Sequence, residues 1–193
     1  MAIDPIGVML MVTSLLDEMD IRYVIGGSYA SSLHGFSRST RDIDVLAAIK
    51  PEQATAFAAE LQSDFYADEQ TIERAVRAKR HFNVIHLDSA FKIDIFVAKP
   101  SEFESAQLER RQQSIIEGDL PQTIYVATAE DTILAKLDWY RRGNEVSDQQ
   151  WKDISGVIRV QGDRLDLEYL NFWAQELGVL DLLERALAES KSK

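Results

Sequence analysis

YVIGGSYASSLHGFSRSTRDIDVL, residues 23–46, reads as strand, turn, helix and strand in one span, with two carboxylates near its end. Tyr23-Val24-Ile25 closes a β-rich run. Gly26-Gly27 can take backbone conformations closed to other residues, and Ser28 then opens a helix through Tyr29, Ala30 and Leu33 that Gly35 ends. Such a turn points free backbone N–H groups, and the positive end of the helix dipole, at an anion; a triphosphate fits. Arg38, Thr40 and Arg41 lead into Asp42-Ile43-Asp44-Val45-Leu46. Period-two alternation puts both aspartates on one strand face and Ile43 and Val45 on the other, with the aspartate Cα atoms roughly 7 Å apart. Carboxylates so placed suit oxygen ligation of magnesium, or of two ions about 3.5–4 Å apart as in-line phosphoryl displacement uses.

A Gly-Gly turn by itself is ordinarily only a turn, and Asp-x-Asp at a strand end is often a solvated edge. A third carboxylate changes the reading. Phe91-Lys92-Ile93-Asp94-Ile95-Phe96-Val97 is a strongly β-type run in which Lys92 and Asp94 share a face and Phe91, Ile93, Ile95 and Val97 take the other. An aspartate on a partly covered face needs a partner, and a metal shared with Asp42 and Asp44 would supply it. The run Phe82–Leu87, joined to it through Asp88-Ser89-Ala90, predicts an antiparallel hairpin that delivers Asp94.

These residues resemble the nucleotidyltransferase (polymerase β-like) superfamily, whose pattern is a Gly-Gly or Gly-Ser turn, a spacer, Asp-x-Asp and a lone carboxylate on a neighbouring strand. They look most like the AbiEii-type nucleotidyltransferases of bacterial toxin–antitoxin pairs, through Gly26, Gly27, Ala30, His34, Gly35, Arg38, Thr40, Asp42 and Asp44. The resemblance implies an α+β fold: a mixed, mainly antiparallel sheet flanked by helices, with an all-helical C-terminal half. Residues 1–126 are then the catalytic domain and 127–193 a helical subdomain. It implies nucleotidyl transfer from an NTP, with Mg2+ (or Mn2+) held by Asp42, Asp44 and Asp94. Gly26, Gly27, Ser28, Arg38 and Thr40 would contact the nucleotide. A helix lysine of the family falls on Lys136, expected on the triphosphate. A Lys-Asp pair falls on Lys152-Asp153, with Asp153 as a base, a substrate-orienting group, or an ion-pair partner of Lys152 or an arginine. The fuller family pattern has an arginine before that pair and an aspartate after it, where this chain has Gln149-Gln150 and Ser155-Gly156. An RNA acceptor such as a tRNA end, and a cognate toxin or antitoxin partner, follow from the resemblance alone. Alternatives are a protein hydroxyl or an aminoglycoside-type small molecule as acceptor, and a non-catalytic nucleotide- or partner-binding module; the presence of all three carboxylates speaks against the last.

The bulk composition is that of an ordinary globular chain: at 193 residues and 46% apolar it can bury a sizeable core. With no cysteine and only three scattered histidines, disulfides and thiolate metal sites are excluded and a zinc site is not expected. A reducing cytoplasm is the expected location. The apolar run from Ile6 to Leu16 meets Asp17-Glu18 too early for a membrane span, so a packed helix over Pro5–Met19 is predicted. A net charge of −11 disfavours general nucleic-acid binding; against it stands a local basic cluster, Arg74, Arg77, Lys79 and Arg80, either a solvated helix end or a grip on phosphates. Ser101 with Glu104 reads as a capping box, Ser114–Ile116 and Thr123–Val126 as strands around the Gly118–Pro121 turn, and Thr128, Ser147 and Asp166 as helix starts. The tail, rich in serine and lysine, is expected to fray. His34 is expected to cap or pack, and His81 and His86 show no evident partner.

Overall fold

The computed structural model describes residues 4–40, 42–118 and 120–191. Arg41 before the Asp-x-Asp strand, Asp119 in the Gly118–Pro121 turn, and the last two residues of the tail lie outside the described residues. In chain order the elements are α1 (Pro5–Glu18), β1 (Tyr23–Ile25), α2 (Gly27–His34), β2 (Asp42–Ala47), α3 (Ala54–Leu61), β3 (Phe65–Tyr66), α4 (Glu69–Ala78), β4 (His81–His86), β5 (Lys92–Val97), α5 (Glu102–Arg110), β6 (Gln112–Ile116), β7 (Gln122–Val126), α6 (Ala129–Arg142), α7 (Asp148–Gln161), α8 (Leu167–Glu176) and α9 (Leu180–Lys191). They divide into two compact units: residues up to Ile25 with Thr40–Val126, and Gly26–Ser39 with Ala127 onward. The turn and helix after β1 therefore pack with the C-terminal helices, although their position in sequence would group them with residues 1–126. The tail stays helical to Lys191.

The first unit is a seven-stranded sheet in the order β3-β4-β5-β2-β1-β7-β6. β1 with β7 and β2 with β5 run parallel, and the other neighbours are antiparallel, as the mixed, mainly antiparallel expectation has it. Alternation is strict on the central strands: Ile43, Val45 and Ala47 of β2 and Ile93, Ile95 and Val97 of β5 are buried, while the residues between them are half-exposed. α1 covers the sheet with Val8, Met9, Val12 and Leu16, all fully buried. Its N-terminus is capped by Asp4, which accepts from the Gly7 N–H at 2.7 Å. Phe57 of α3 meets Phe82 of β4 edge-on, ring centres 6.4 Å apart.

The hairpin between β4 and β5 forms as predicted, and it supplies the partners the sequence hid. His86 is buried, its Nδ1 2.9 Å from the Ser89 hydroxyl and its ring against Phe65; His81 stacks near Phe96. At α5 the box is half-formed: Ser101 accepts from the Glu104 N–H, but the Glu104 carboxylate takes the Lys99 N–H instead of that of Ser101. The basic cluster resolves into the end of α4, with Arg74 bonded to the Gln70 carbonyl, Arg77 near Glu73, and Lys79 in the left-handed C-cap position.

In the second unit α2 packs against α6 and α7, and α9 against α7 and α8. The three predicted starts are caps: Thr128, Ser147 and Asp166 accept from the N–H groups of Asp131, Gln150 and Tyr169. Gly35 ends α2 where a Cβ would stand 2.9 Å from both the Ser31 oxygen and the Val157 nitrogen, so only glycine permits this approach to α7. His34 donates from Nε2 to the Ala127 carbonyl at 2.6 Å, and Gln161 donates to the His34 carbonyl. Its role is structural, as expected. Trp151 packs on Tyr140, whereas Trp139 is half-exposed. Among the described residues no helix is long and apolar enough to cross a membrane.

Candidate active site

The first constellation lies on the sheet. In the parallel pairing of β2 with β5, Asp44 stands directly beside Asp94, and Asp42 beside Lys92. Neighbouring strands lie about 4.7–4.9 Å apart, and side chains at paired positions point to the same face, so four charged residues distant in sequence are gathered on one patch. Thr40 donates its hydroxyl to the Asp42 carbonyl at 2.7 Å and lies 3.3 Å from Asp42 Oδ1, which fixes the entry to β2. Lys92 stands among the acids, its Nζ 2.6 Å from Asp94 Oδ2 and 3.7 Å from Asp42 Oδ2. The hydrogen bond to Asp94 and the charges of Asp94, Asp42 and Asp44 hold the Lys92 ammonium above the usual lysine range, against the effect of burial. Hard carboxylate oxygens from two adjacent strands are the donor set a magnesium ion takes. As the side chains stand, no three acidic or histidine groups among the described residues close around one point.

The second constellation lies among the helices. Gly27 has φ of 55°, the left-handed region that favours glycine, and Gly26 is the N-cap of α2. Ser28, in the first turn, accepts from Arg38 Nη2 at 2.5 Å. Arg38 also forks Asp153 of α7, Nε to Oδ1 at 3.1 Å and Nη2 to Oδ2 at 2.9 Å. The same carboxylate receives Lys136 of α6 at 2.9 Å and Gln149 at 2.8 Å, and Lys136 also reaches Gln150 Oε1 at 3.0 Å. Both Lys136 and Asp153 are buried, with side chains only 5% and 7% exposed. Burial would raise the Asp153 carboxyl, but the hydrogen bonds from Arg38, Lys136 and Gln149 and the Lys136 charge hold it down at about 2.

Asp153 is therefore configured as a counter-ion rather than a base: a carboxylate with four donors and a pKa near 2 accepts a proton poorly at neutral pH. Lys152 is not its partner. Successive helix residues point about 100° apart, and Lys152 turns outward beside Trp151 and Arg159. Lys136 neither snorkels nor stands free; it is tied to Asp153. Gln149 and Gln150, which in the sequence looked like departures from a motif, are the polar ligands of this pair. The four-residue spacing from Gln149 to Asp153 was the available signal, because i and i+4 share a helix face.

Residues 8–115 match the family model described as aminoglycoside-2''-adenylyltransferase. The chain belongs to that family. It is a nucleotidyltransferase enzyme. Solved structures share the fold at low identity. The solution structure of the antibiotic-resistance factor ANT(2'')-Ia aligns with a TM-score of 0.54 and 17% identity over 93% of this chain and 95% of that one. An antigenic nucleotidyltransferase-like protein from Paracoccidioides brasiliensis gives 0.51 and 18% over 94% and 91%. The crystal structure of ANT(2'')-Ia with adenylyl-2''-tobramycin gives 0.50 and 12% over 89% and 95%. Among curated proteins none matches the chain significantly in sequence.

Proposed function

We propose that this enzyme moves a nucleoside monophosphate from an NTP, ATP first among them, to a hydroxyl of a small cationic acceptor of the aminoglycoside type. The observation that carries the reading is the register of β2 on β5, which sets Asp44 beside Asp94 with Asp42 on the same face. Asp42, Asp44 and Asp94 would hold Mg2+, or Mn2+ in its place, and a bound divalent ion supplies charge neutralisation for the phosphates. The chain's own groups do the rest. The N–H groups of Gly27 and Ser28 bind phosphate oxygens, and Arg38, with its side chain 32% exposed, balances their charge, while Lys136 stays buried against Asp153. Asp153 is the positioning residue that holds those two cations in place. The acceptor oxygen bonds to the α-phosphorus as the bond to the bridging oxygen breaks, and pyrophosphate leaves. The hydroxyl proton passes to Asp94, which stands beside Asp44 on the neighbouring strand.

Charge as well as family supports this acceptor class. A chain of net charge −11 attracts a polycationic amine and repels RNA. The toxin–antitoxin reading, with RNA or a tRNA end as acceptor, keeps the support of the N-terminal motif and of the basic end of α4. Incubation with each α-labelled NTP and Mg2+, in parallel with an aminoglycoside panel, total RNA and cell lysate, separates the two. We expect label on an aminoglycoside with release of pyrophosphate, lost in Asp44→Asn. Label on RNA alone would replace the small-molecule acceptor with a nucleic acid, and nucleotide binding without pyrophosphate from any arm would reduce the chain to a binding module.

A further inference from the structure

We propose that Lys92 is the built-in competitor of the divalent cation: its ammonium occupies the position between Asp94 and Asp42 until a metal displaces it, and so sets how tightly the site holds metal. The inference rests on the metal-binding role given above to the three aspartates. Its own grounds are geometric. Lys92 is the register partner of Asp42 on the neighbouring strand and lies two residues before Asp94 on the same face, so the backbone delivers its side chain to the acidic patch whatever else is bound. Its nitrogen is within hydrogen-bond distance of one acid and close to a second. An ammonium is a compact, strongly hydrated point charge on a flexible four-carbon stem. With its side chain 39% exposed, Lys92 can swing into water when displaced, without a buried cation being stranded.

Two consequences follow. Without metal, Lys92 offsets the repulsion between carboxylates that the register forces together. With metal, the same charge opposes binding, so a monovalent ion gains nothing over the ammonium it would replace, and only an ion of higher charge displaces it. Lys92 is thus a positioning residue that keeps the carboxylates poised and selects for divalent ions.

The test is Mn2+ binding to the full-length protein without nucleotide, read from the free-ion electron paramagnetic resonance signal. Wild type, Lys92→Met, Lys92→Arg and Asp44→Asn would be compared, with circular dichroism confirming that each is folded. Removing a cation a few ångströms from the site should tighten Mn2+ binding about tenfold in Lys92→Met, while Lys92→Arg stays near wild type. In chelator, Lys92→Met should melt below wild type, and saturating Mn2+ should raise its melting temperature by more than it raises that of wild type. Equal or weaker Mn2+ binding in Lys92→Met, with binding still abolished by Asp44→Asn, would overturn the role of Lys92 and leave the metal site intact. No Mn2+ binding by either wild type or Lys92→Met would overturn both.

Discussion

Replacing Asp153 by asparagine removes one charge from the centre of the helical network while keeping its shape. Its carboxyl is held at about 2 against an ordinary 3.8. By proton linkage that depression stabilises the fold at pH 7 by about 2 kcal/mol. The sign is that of a carboxylate stabilised in its charged form: the contribution is fully present above the unfolded-state value near 4 and disappears as the pH falls through about 2, with about half remaining near pH 3. Substitution costs more than this, because Lys136 is left as a buried cation and the new amide sets two N–H donors against cations. Breaking a buried pair costs about 3–5 kcal/mol, but Arg38, with its side chain 32% exposed, recovers part of that in water. The expected loss is about 2–4 kcal/mol at pH 7, or about 5–12 °C in melting temperature for a chain of this size. Chemical denaturation followed by tryptophan fluorescence, at steps from pH 7 to pH 3, measures it. The deficit of Asp153→Asn should shrink as the pH falls. A deficit below about 0.5 kcal/mol, the scale of an ordinary surface substitution, or one constant across that range, would refute the assignment of Asp153 as the buried counter-ion of Arg38 and Lys136.

The other expectations use the same network and the turn that precedes it. Lys136→Met should cost about 1–3 kcal/mol and, by removing a cation that holds the Asp153 carboxyl down, move the midpoint of acid unfolding to higher pH. Gly27→Ala puts a side chain at φ of 55° and should lower stability by about 1–2 kcal/mol; Gly26→Ala, with φ of −118° and nothing within 4 Å of the added carbon, should be tolerated in the same denaturation experiment. Gly35→Ala must push α2 from α7 to relieve contacts of 2.9 Å, and about 1–3 kcal/mol should be lost on chemical denaturation.

The local features were legible in the amino-acid sequence. Alternation placed Asp42 and Asp44 on one face of β2 and Asp94 on the matching face of β5, and turn chemistry gave the hairpin carrying Asp94, because both are fixed by neighbours in sequence. Which residue of β5 would stand beside Asp44 was beyond local pattern. β2 and β5 are parallel, joined through α3, β3, α4 and β4, and their register is set by burial over the whole strand pair. Lys92 could be placed on the acidic face but not paired with Asp42 for the same reason. The Arg38–Asp153 pair joins residues 115 apart in sequence. The motif pointed to Lys152 beside Asp153, where helical geometry turns adjacent side chains apart. The place of α2 with α6 and α7 was hidden because chain continuity ties it to β1, while its packing depends on Gly35 and Gly156.

The claim on which the chemistry depends is that Asp42, Asp44 and Asp94 act as one site. Single-turnover transfer of labelled nucleotide by Asp42→Asn, Asp44→Asn, Asp94→Asn and the Asp44→Asn/Asp94→Asn double variant tests it most directly. Residues that work as a unit are strongly non-additive, so each single change should slow transfer by about a hundredfold or more, with the double variant little slower than the worse of its parents. Near-wild-type transfer by Asp94→Asn, or losses that multiply in the double variant, would contradict it.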